Sequence, residues 1–335
     1  MALKMLVLGI ESSCDETAAA VVKDGSEMLS NVIASQVKVH ERYGGIVPEI
    51  ASRKHIDAIV PVIMKSLEDA KKSIRELDGI AVTKGPGLVG SLLVGLSAAK
   101  ALAFGAGLPV VGVNHLKGHV AAIFLTKSPP EFPFIALVVS GGHTAIYLAK
   151  GFRDFTLIGQ TRDDAAGEAF DKAAKLLGIG YPGGAAIEKI SPNGNPAAYA
   201  FPRAMRDSVD FSFSGLKTAL WIKIKSMDKP LSSEQTADLA SSFQEAICDV
   251  LTEKTIRAAD AASAKRIVVC GGVAANIRLR EMIEDKASSA GIGVFIPPAV
   301  LCTDNAAMIA VVGNHLLQAG LQDDFSLNAV SRIPL

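Results

Sequence analysis

The sequence predicts an α/β protein with two domains, and three observations support this fold class. The chain has 335 residues, which is enough for two domains of ordinary size with separate cores. Hydrophobic residues make up 49% of the chain and aromatic residues 5%, and its 30 glycines suit many tight turns between strands and helices. A pattern of apolar run, polar turn and apolar run begins near residue 5 and again near residue 134, which indicates an internal duplication.

Charge and cysteine content exclude several classes of protein. The 34 basic residues balance 34 acidic ones, which argues against an autonomous, nonspecific nucleic-acid binder. The 4 cysteines show neither the C-x-x-C spacing of a zinc ribbon nor the density of a secreted scaffold, so we expect reduced thiols. Residues 1–10 lack a signal-peptide pattern, and Lys100 and Pro109 interrupt the most apolar stretch, 88–113. We therefore expect a cytoplasmic protein without a membrane span.

The first repeat begins with the apolar runs Met5–Ile10 and Ala18–Val22, which predict a strand hairpin. The turn between them, Glu11–Thr17, holds hydroxyl groups and the acids Asp15 and Glu16. Such a turn can donate hydrogen bonds to a phosphate and offer carboxylates to a cation or to a proton transfer. The alternative is a turn that is merely solvated.

From Pro48 onward, apolar residues recur at helical spacing and predict a helix with one buried face. The members of that face are Ile50, Ile56, Ile59, Ile63 and Leu67. His55 lies on the same helix, and we expect it to be structural and not a metal ligand.

A strand at Asp78–Thr83 leads into the sequence G-P-G-L-V-G at 85–90, which has the spacing of a dinucleotide-binding loop. Such a loop requires an acidic residue about 20 positions further on to hold the ribose. Residues 79–130 contain no Asp or Glu, so we expect these glycines to serve a tight turn and close helix packing.

The segment V-N-H-L-K-G-H, residues 113–119, carries a candidate metal site. His115 and His119 are four residues apart, so on a helix their side chains lie one above the other. Asn114 follows the strand-like run Leu108–Val113 and is a residue type that caps such a helix. Either these are two ordinary histidines on a polar face, or a third ligand comes from elsewhere in the chain.

The second repeat follows a boundary at Thr126–Pro133, a segment with three prolines. The apolar runs Phe134–Val139 and Ala145–Ala149 flank the turn S-G-G-H-T at 140–144. Two such hairpins facing each other across a cleft would make a phosphate clamp.

An amphipathic helix at Asp163–Gly178 contains Asp171, which either reaches the cleft or lies on a solvated face. The turn Tyr181–Gly184 has glycines that let the backbone approach a flat ligand. A long helix is predicted at Thr236–Ala259.

A buried strand at Lys265–Cys270 leads into a corner of small residues at 271–276. A planar base can lie against such a corner, and Asn276 can hold a ribose or a base edge; the alternative is a plain glycine corner. Asp304 precedes the predicted helix Ala306–Gln318, where it is either a helix cap or the missing carboxylate ligand.

Nine motifs, taken together and in order, resemble the TsaD family, the tRNA adenosine threonylcarbamoyltransferases once described as glycoproteases (O-sialoglycoprotein endopeptidases). The resemblance covers essentially the whole chain. The motifs are G-I-E-S-S-C-D-E-T (9–17), G-G-I-V-P-E-I-A-S-R (44–53), G-P-G-L-V-G (85–90), N-H-L-K-G-H (114–119), V-S-G-G-H-T (139–144), A-G-E-A-F-D-K (166–172), F-S-F-S-G-L-K-T (211–218), G-G-V-A-A-N (271–276) and C-T-D-N (302–305).

The resemblance implies the actin/Hsp70/sugar-kinase-like fold, in which two duplicated domains with mixed sheets flanked by helices enclose a nucleotide cleft. We place the domains at 1–130 and 131–335. The first would hold the phosphate hairpin and the H-x-x-x-H helix. The second would hold a helical insertion at about 186–262 and the nucleotide site.

The resemblance also implies roles for single residues. His115, His119 and Asp304 would hold iron or zinc. The transfer also requires a proton acceptor for the substrate amine, and Asp15 or Glu16 is our candidate for it. The residues implied to contact substrate or nucleotide are Val138, Val139, Ser140, Gly141, Gly142, Asp171, Gly184 and Asn276. Archaeal and eukaryotic members have a tyrosine ligand in place of Val138 and asparagine in place of His143, so the chain follows the bacterial pattern. The fourth metal position is left to substrate, water or His143.

The implied reaction transfers a threonylcarbamoyl group from threonylcarbamoyl-AMP to N6 of the adenosine 3′ of the anticodon, in tRNAs that read codons beginning with A. The implied partners are tRNA, the paralogue TsaB, the ATPase TsaE and a separate threonylcarbamoyl-AMP synthase; ATP, ADP or AMP would also be ligands. Three alternatives stay open. A kinase of this fold needs no H-x-x-x-H, a metalloprotease requires H-E-x-x-H where Leu116 follows His115, and a scaffold tolerates loss of the metal ligands.

Overall fold

The computed structural model describes residues 4–333, which divide into two compact units. Unit 1 consists of the described residues up to Pro129 and those from Thr303 onward, and unit 2 is Pro130–Cys302. The expected division placed 131–335 in the second domain. The C-terminal segment lies instead in unit 1, for a packing reason given below.

Unit 1 contains a five-stranded mixed sheet with the strand order β3-β2-β1-β4-β5. β1 pairs antiparallel with β2, as the predicted hairpin requires, and β2 pairs antiparallel with β3, while β4 is parallel to β1 and to β5. The strands are β1 (Leu6–Glu11), β2 (Glu16–Lys23), β3 (Glu27–Ser35), β4 (Gly79–Gly85) and β5 (Val110–Asn114).

The first helices of unit 1 are α1 (Val37–Glu41), α2 (Pro48–Asp69), α3 (Val89–Ala106) and α4 (His115–Ala121), with 3₁₀ turns at Ile74–Glu76 and Ala122–Leu125. The predicted helix from Pro48 is confirmed, but its predicted face is wrong at Ile56, which is 64% exposed. The residues that α2 buries are Ala51, His55, Ile59, Val62, Ile63, Ser66 and Leu67.

The glycines at 85–90 serve close packing, as the sequence predicts. A Cβ atom at Gly87 would lie 2.6 Å from the backbone oxygen of Ser13, and one at Gly90 would lie 2.4 Å from the hydroxyl of Ser52. The helix that follows, α3, is long and apolar enough to cross a membrane by length and composition alone, and 33% of it is buried in the protein. One such helix is weak evidence for a membrane span.

Unit 2 repeats the strand arrangement of unit 1, which confirms the predicted duplication. Its sheet has the order β10-β9-β6-β7-β8; the pairs β6/β7 and β7/β8 are antiparallel, and β6/β9 and β9/β10 are parallel. The strands are β6 (Phe134–Val139), β7 (Thr144–Gly151), β8 (Asp154–Gln160), β9 (Arg266–Cys270) and β10 (Gly293–Phe295).

The helices of unit 2 pack around a core that includes Phe170, Phe213 and Phe243. They are α5 (Ala166–Leu177), α6 (Gly183–Ile190), α7 (Ser214–Lys225), α8 (Ser233–Ala261), α9 (Ile277–Ser289) and α10 (Ala299–Cys302), with 3₁₀ turns at Ser191–Asn193 and Gly272–Ala275.

The last helix, α11 (Ala306–Gln318), returns to unit 1 and lies against its sheet. Two glycines allow the close approach. A Cβ atom at Gly9 of β1 would lie 2.2 Å from the backbone oxygen of Ala306, and one at Gly313 would lie 2.2 Å from Cβ of Ala81. Because α11 is apolar and buried along most of its length, it supplies core to unit 1.

Candidate active site

In unit 1 the structure brings together the three predicted metal ligands. Asn114 caps α4 by accepting a hydrogen bond from the amide of Leu116 at 2.9 Å, so the helix begins at His115 as predicted. The Nε2 atoms of His115 and His119 lie 3.5 and 3.2 Å from the same oxygen, Oδ1 of Asp304. Candidate ligand atoms of the three residues lie within 4.8 Å of one another.

Asp304 reaches this cluster from the segment directly before α11. The cap of α11 is Asn305, whose side chain accepts a hydrogen bond from the amide of Met308 at 3.0 Å, and not Asp304. At Gly118 a Cβ atom would lie 2.8 Å from Cδ1 of Ile309, so α4 and α11 approach closely because that position is glycine. Asp304 is therefore not the cap of α11, and its role as a metal ligand stays a prediction.

The geometry of the cluster fits a metal ion. Two ligands bound to one tetrahedral zinc at about 2.0–2.1 Å are roughly 3.3 Å apart, close to the separations from Asp304 given above. His119 is fully buried, and within residues 4–333 neither of its ring nitrogens has a hydrogen-bond partner. Because buried polar atoms are rarely left without partners, this donor set of two imidazoles and a carboxylate fits a metal.

A buried carboxylate, Glu11, lies behind His115. Its Oε2 is 3.0 Å from Nδ1 of His115 and accepts a hydrogen bond from the Thr83 hydroxyl at 2.6 Å. Its Oε1 accepts the backbone N–H of Ser13 at 2.5 Å. Burial lowers the pKa of His115, but the charges of Glu11 and Asp304 outweigh it and raise that pKa to about 9.

Of the two candidate proton acceptors, Glu16 is the first residue of β2 and Asp15 directly precedes it. Burial raises the pKa of Asp15, and the charge of Asp304 adds to this effect. Burial also raises the pKa of Glu16, to about 7. Oε1 of Glu16 accepts a hydrogen bond from the Ser35 hydroxyl at 2.8 Å, whereas its buried Oε2 has no hydrogen-bond partner among residues 4–333.

His55 is structural, as predicted. Its Nε2 donates to the backbone oxygen of Cys14 at 2.9 Å, and its Nδ1 lies 2.7 Å from the hydroxyl of Thr17. This buried side chain therefore ties the turn that bears Asp15 and Glu16 to α2.

In unit 2 the predicted hairpin forms at the end of β6, where Val138 and Val139 are buried. The amide of Ser140 donates to the backbone oxygen of His143 at 2.8 Å and closes the turn. Cβ atoms at Gly141 and Gly142 would meet no described atom within 4 Å, so the backbone of the turn is accessible to a ligand.

Two further predicted residues are brought together by one hydrogen bond. Oδ1 of Asp171 on α5 accepts the amide of Gly183 at 2.7 Å, which places the start of α6, and hence Gly184, beside α5. A Cβ atom at Gly183 would lie 2.4 Å from Cα of Asp171, so this approach requires glycine.

The glycine corner follows β9 and lies beside the end of β6. Gly271 has φ +94°, a conformation that favours glycine. A Cβ atom there would also lie 2.4 Å from the backbone oxygen of Val139, so both the backbone conformation and the close contact require glycine. At Gly272 a Cβ atom would meet no described atom within 4 Å. The Asn276 side chain caps α9 and donates to Gln244 at 2.9 Å. A contact of Asn276 with nucleotide stays a prediction.

The sequence profile of the TsaD family, described as tRNA N6-adenosine threonylcarbamoyltransferase, matches residues 27–311. The chain belongs to the TsaD family. The tRNA N6-adenosine threonylcarbamoyltransferase of Syntrophus aciditrophicus is 63% identical over 331 residues, 99% of this chain and 98% of that protein. The protein with the same name from Symbiobacterium thermophilum is 54% identical over 331 residues, 98% of this chain and 97% of that protein.

Solved structures confirm the predicted fold class for this TsaD family member. Full-length HypF matches with a TM-score of 0.62 at 14% identity, over 93% of this chain and 46% of that one. Component A of the (R)-2-hydroxyglutaryl-CoA dehydratase of Acidaminococcus fermentans matches with a TM-score of 0.54 at 16% identity, over 94% and 99%. At such identities the likeness shows the fold alone.

One residue at the metal cluster was missed by sequence reasoning. The sequence predicts roles for Asp15 and Glu16 of the turn 11–17 and none for Glu11. The available signal was its position as the last residue of an otherwise apolar strand, L-V-L-G-I-E, because a carboxylate is almost never fully buried unless it has a partner.

Proposed function

We propose that this chain transfers the threonylcarbamoyl group from threonylcarbamoyl-AMP to N6 of the adenosine 3′ of the anticodon, in tRNAs that read codons beginning with A. Membership of the TsaD family supports the reaction. The observation that supports the site is the cluster of His115, His119 and Asp304. Nucleoside analysis of a tRNA incubated with the chain, its partners and the donor tests the proposal; a kinase or a scaffold would leave the adenosine unmodified.

The proposed cofactor is iron or zinc, held by His115, His119 and Asp304. A divalent metal there would act as a Lewis acid on a carbonyl oxygen and stabilise the negative charge that develops on it. The burial of both histidines and the hydrogen bonds around Glu11 support a preorganised set of ligands. Such a site suits a donor that is already activated as a mixed anhydride, because the enzyme then mainly positions the reactants.

Glu16 is the proposed general base for the N6 amine, ahead of Asp15. Its pKa of about 7 lies close to the pH at which an enzyme in the cytoplasm works, which is the condition for efficient proton transfer. Its Oε2 also has no hydrogen-bond partner among residues 4–333. That oxygen therefore has the capacity to accept a proton.

In unit 2 the proposed nucleotide contacts are the hairpin Val138–Gly142, Asp171, Gly184 and the corner Gly271–Asn276. The open backbone of Gly141 and Gly142 suits hydrogen bonds from amides to a phosphate. The open space above Gly272 suits a planar base. AMP, ADP and ATP are the ligands that this set of contacts would hold.

Replacing Gly272 with valine tests the base position. The added methyl groups would occupy the space above the corner, and displacing the base or the corner should cost about 1–3 kcal/mol. We therefore expect AMP to bind about 5- to 150-fold more weakly by calorimetry, with an unchanged metal content. Gly105→Val is a matched control, because its Cβ also meets no described atom within 4 Å and it lies on α3. Equal AMP affinity in wild type and Gly272→Val would place the base elsewhere.

We further propose that the chain works in the cytoplasm with TsaB and TsaE, and that a separate enzyme makes the donor. Zero net charge is poorly suited to a polyanion such as tRNA, because neutralising phosphates supplies much of the affinity. The candidate TsaB contact is the α3 segment Leu88–Phe104. Its exposed apolar residues Val89 and Leu93 support this proposal, and α3 packs against α2, which exposes Val60.

The purified chain alone, given tRNA and threonylcarbamoyl-AMP, should modify little adenosine, and adding TsaB and TsaE should restore turnover. Leu93→Glu should prevent the chain from eluting with TsaB in size-exclusion chromatography, because it places a charge in an apolar contact. Ile277→Glu is the control, since this equally apolar residue is 61% exposed in unit 2. Full multiple turnover by the isolated chain would refute the partner requirement, and TsaB binding by Leu93→Glu would refute the surface.

A further inference from the structure

The surroundings of the two histidines in the metal cluster differ. His115 has a fully buried carboxylate, Glu11, 3.0 Å from its Nδ1 atom. His119 has no hydrogen-bond partner at either ring nitrogen among residues 4–333. Both Nε2 atoms face Asp304, and among residues 4–333 only His115 has a second carboxylate at its other ring nitrogen.

Every group around the Glu11 carboxylate can donate a hydrogen bond to it. Oε1 accepts the N–H of Ser13 at 2.5 Å, and Oε2 accepts the Thr83 hydroxyl at 2.6 Å. With both oxygens acting as acceptors, Nδ1 of His115 must carry a proton in order to bond to Oε2. In the neutral ring, the form that binds a metal, the lone pair is then on Nε2, the nitrogen that lies 3.5 Å from Asp304.

We propose that Glu11 is the positioning residue of the metal site: it fixes His115 in the Nδ1–H tautomer and aims Nε2 at the ion. This role rests on the proposed metal site, and it adds that metal binding requires the carboxylate of Glu11 as the acceptor for Nδ1–H of His115. A metal-bound histidine needs its other ring nitrogen held in this way, because that hydrogen bond sets both the tautomer and the ring plane.

Glu11→Gln distinguishes this role from mere packing, since glutamine has nearly the same shape but replaces one acceptor with an N–H₂ donor. If the glutamine amide nitrogen faces Ser13, its N–H groups point at the backbone N–H of Ser13, and neither group can accept a hydrogen bond. If it faces His115, it favours the tautomer with a proton on Nε2, where the metal should bind. Either orientation disfavours the competent imidazole.

The experiment titrates Zn²⁺ into the purified chain against a chelator of known affinity. Glu11→Gln should bind zinc about 10- to 100-fold more weakly than wild type, the range for losing a partner of a metal-bound histidine. Asp78→Asn is the matched control. Oδ2 of Asp78 also accepts a backbone amide, from Leu6 at 2.7 Å, yet Asp78 lies at the opposite end of β1, so its zinc affinity should equal that of wild type.

Nitrogen-15 NMR of the wild-type, zinc-loaded chain gives a second readout that does not depend on the variant folding. We expect His115 to show a protonated Nδ1 and a metal-bound Nε2. A metal-bound or unprotonated Nδ1 would overturn the proposal, as would a folded Glu11→Gln variant with wild-type zinc affinity. Failure of the wild type itself to bind zinc or iron would instead refute the metal site, so the two failures are distinguishable.

Discussion

Replacing His119 with alanine should leave the purified chain without metal and abolish transfer. His119 is one of three proposed ligands, and it is fully buried with both ring nitrogens lacking hydrogen-bond partners among residues 4–333. Removing a ligand should lower zinc affinity by more than the roughly 10- to 100-fold that removing a hydrogen-bonded neighbour of a ligand costs. Elemental analysis measures the metal content, and the tRNA assay measures the lost transfer.

His315→Ala is the control for this prediction, because His315 lies on the last turns of α11, far along the helix from Asp304. It should retain metal and transfer. Stripping the wild-type chain with a chelator should mimic His119→Ala, and restoring either zinc or iron should identify the active ion. A folded His119→Ala protein with the metal content of wild type would remove His119 from the site.

Replacing Glu16 with glutamine should lower the turnover number about 10²-fold or more, the contribution typical of a general base. Burial raises the pKa of Glu16 to about 7, against the lowering effect of the Ser35 hydrogen bond, and Asp15 and Asp304 add to the increase. A base works only when deprotonated. Wild-type turnover should therefore rise about tenfold per pH unit below pH 7 and level off above it.

The variant Glu16→Gln should lose this pH dependence as well as rate. Glu27→Gln is the control, because Glu27 is an exposed carboxylate that forms an ion pair with Lys23, at 2.7 Å, on the same hairpin. If Glu16→Gln kept the turnover number and pH profile of wild type, Glu16 would not be the base, and Asp15→Asn would be the next variant to measure.

Buried strands and helices could be predicted from the sequence, whereas exposed strands at the edge of a sheet could not. β6 at Phe134–Val139 and α11 at Ala306–Gln318 were predicted with the bounds that the structure has, because β6 is a continuous apolar run and α11 is a mostly apolar segment that follows the turn at 302–305. The edge strands β3 and β8 were missed. Both are half exposed and mixed in composition, so neither shows the pattern of a buried strand.

The sequence alone determined the chemistry available to this protein. The two histidines share one face because they are four residues apart on a helix that Asn114 caps, and the duplicated hairpins specify two similar units. These features depend on local spacing, which the order of residues sets directly.

Only the tertiary structure decided which distant groups complete the site. Asp304 reaches His115 and His119 because α11 packs on the first sheet at Gly9, an approach that no local pattern encodes. Glu11 became the partner of His115 for a similar reason: β1 and β5 both border β4, so the ends of the two strands bring together a carboxylate and an imidazole that are 104 residues apart. Because Glu11 is fully buried, its carboxylate needs hydrogen-bond donors such as His115 to offset the loss of solvation by water.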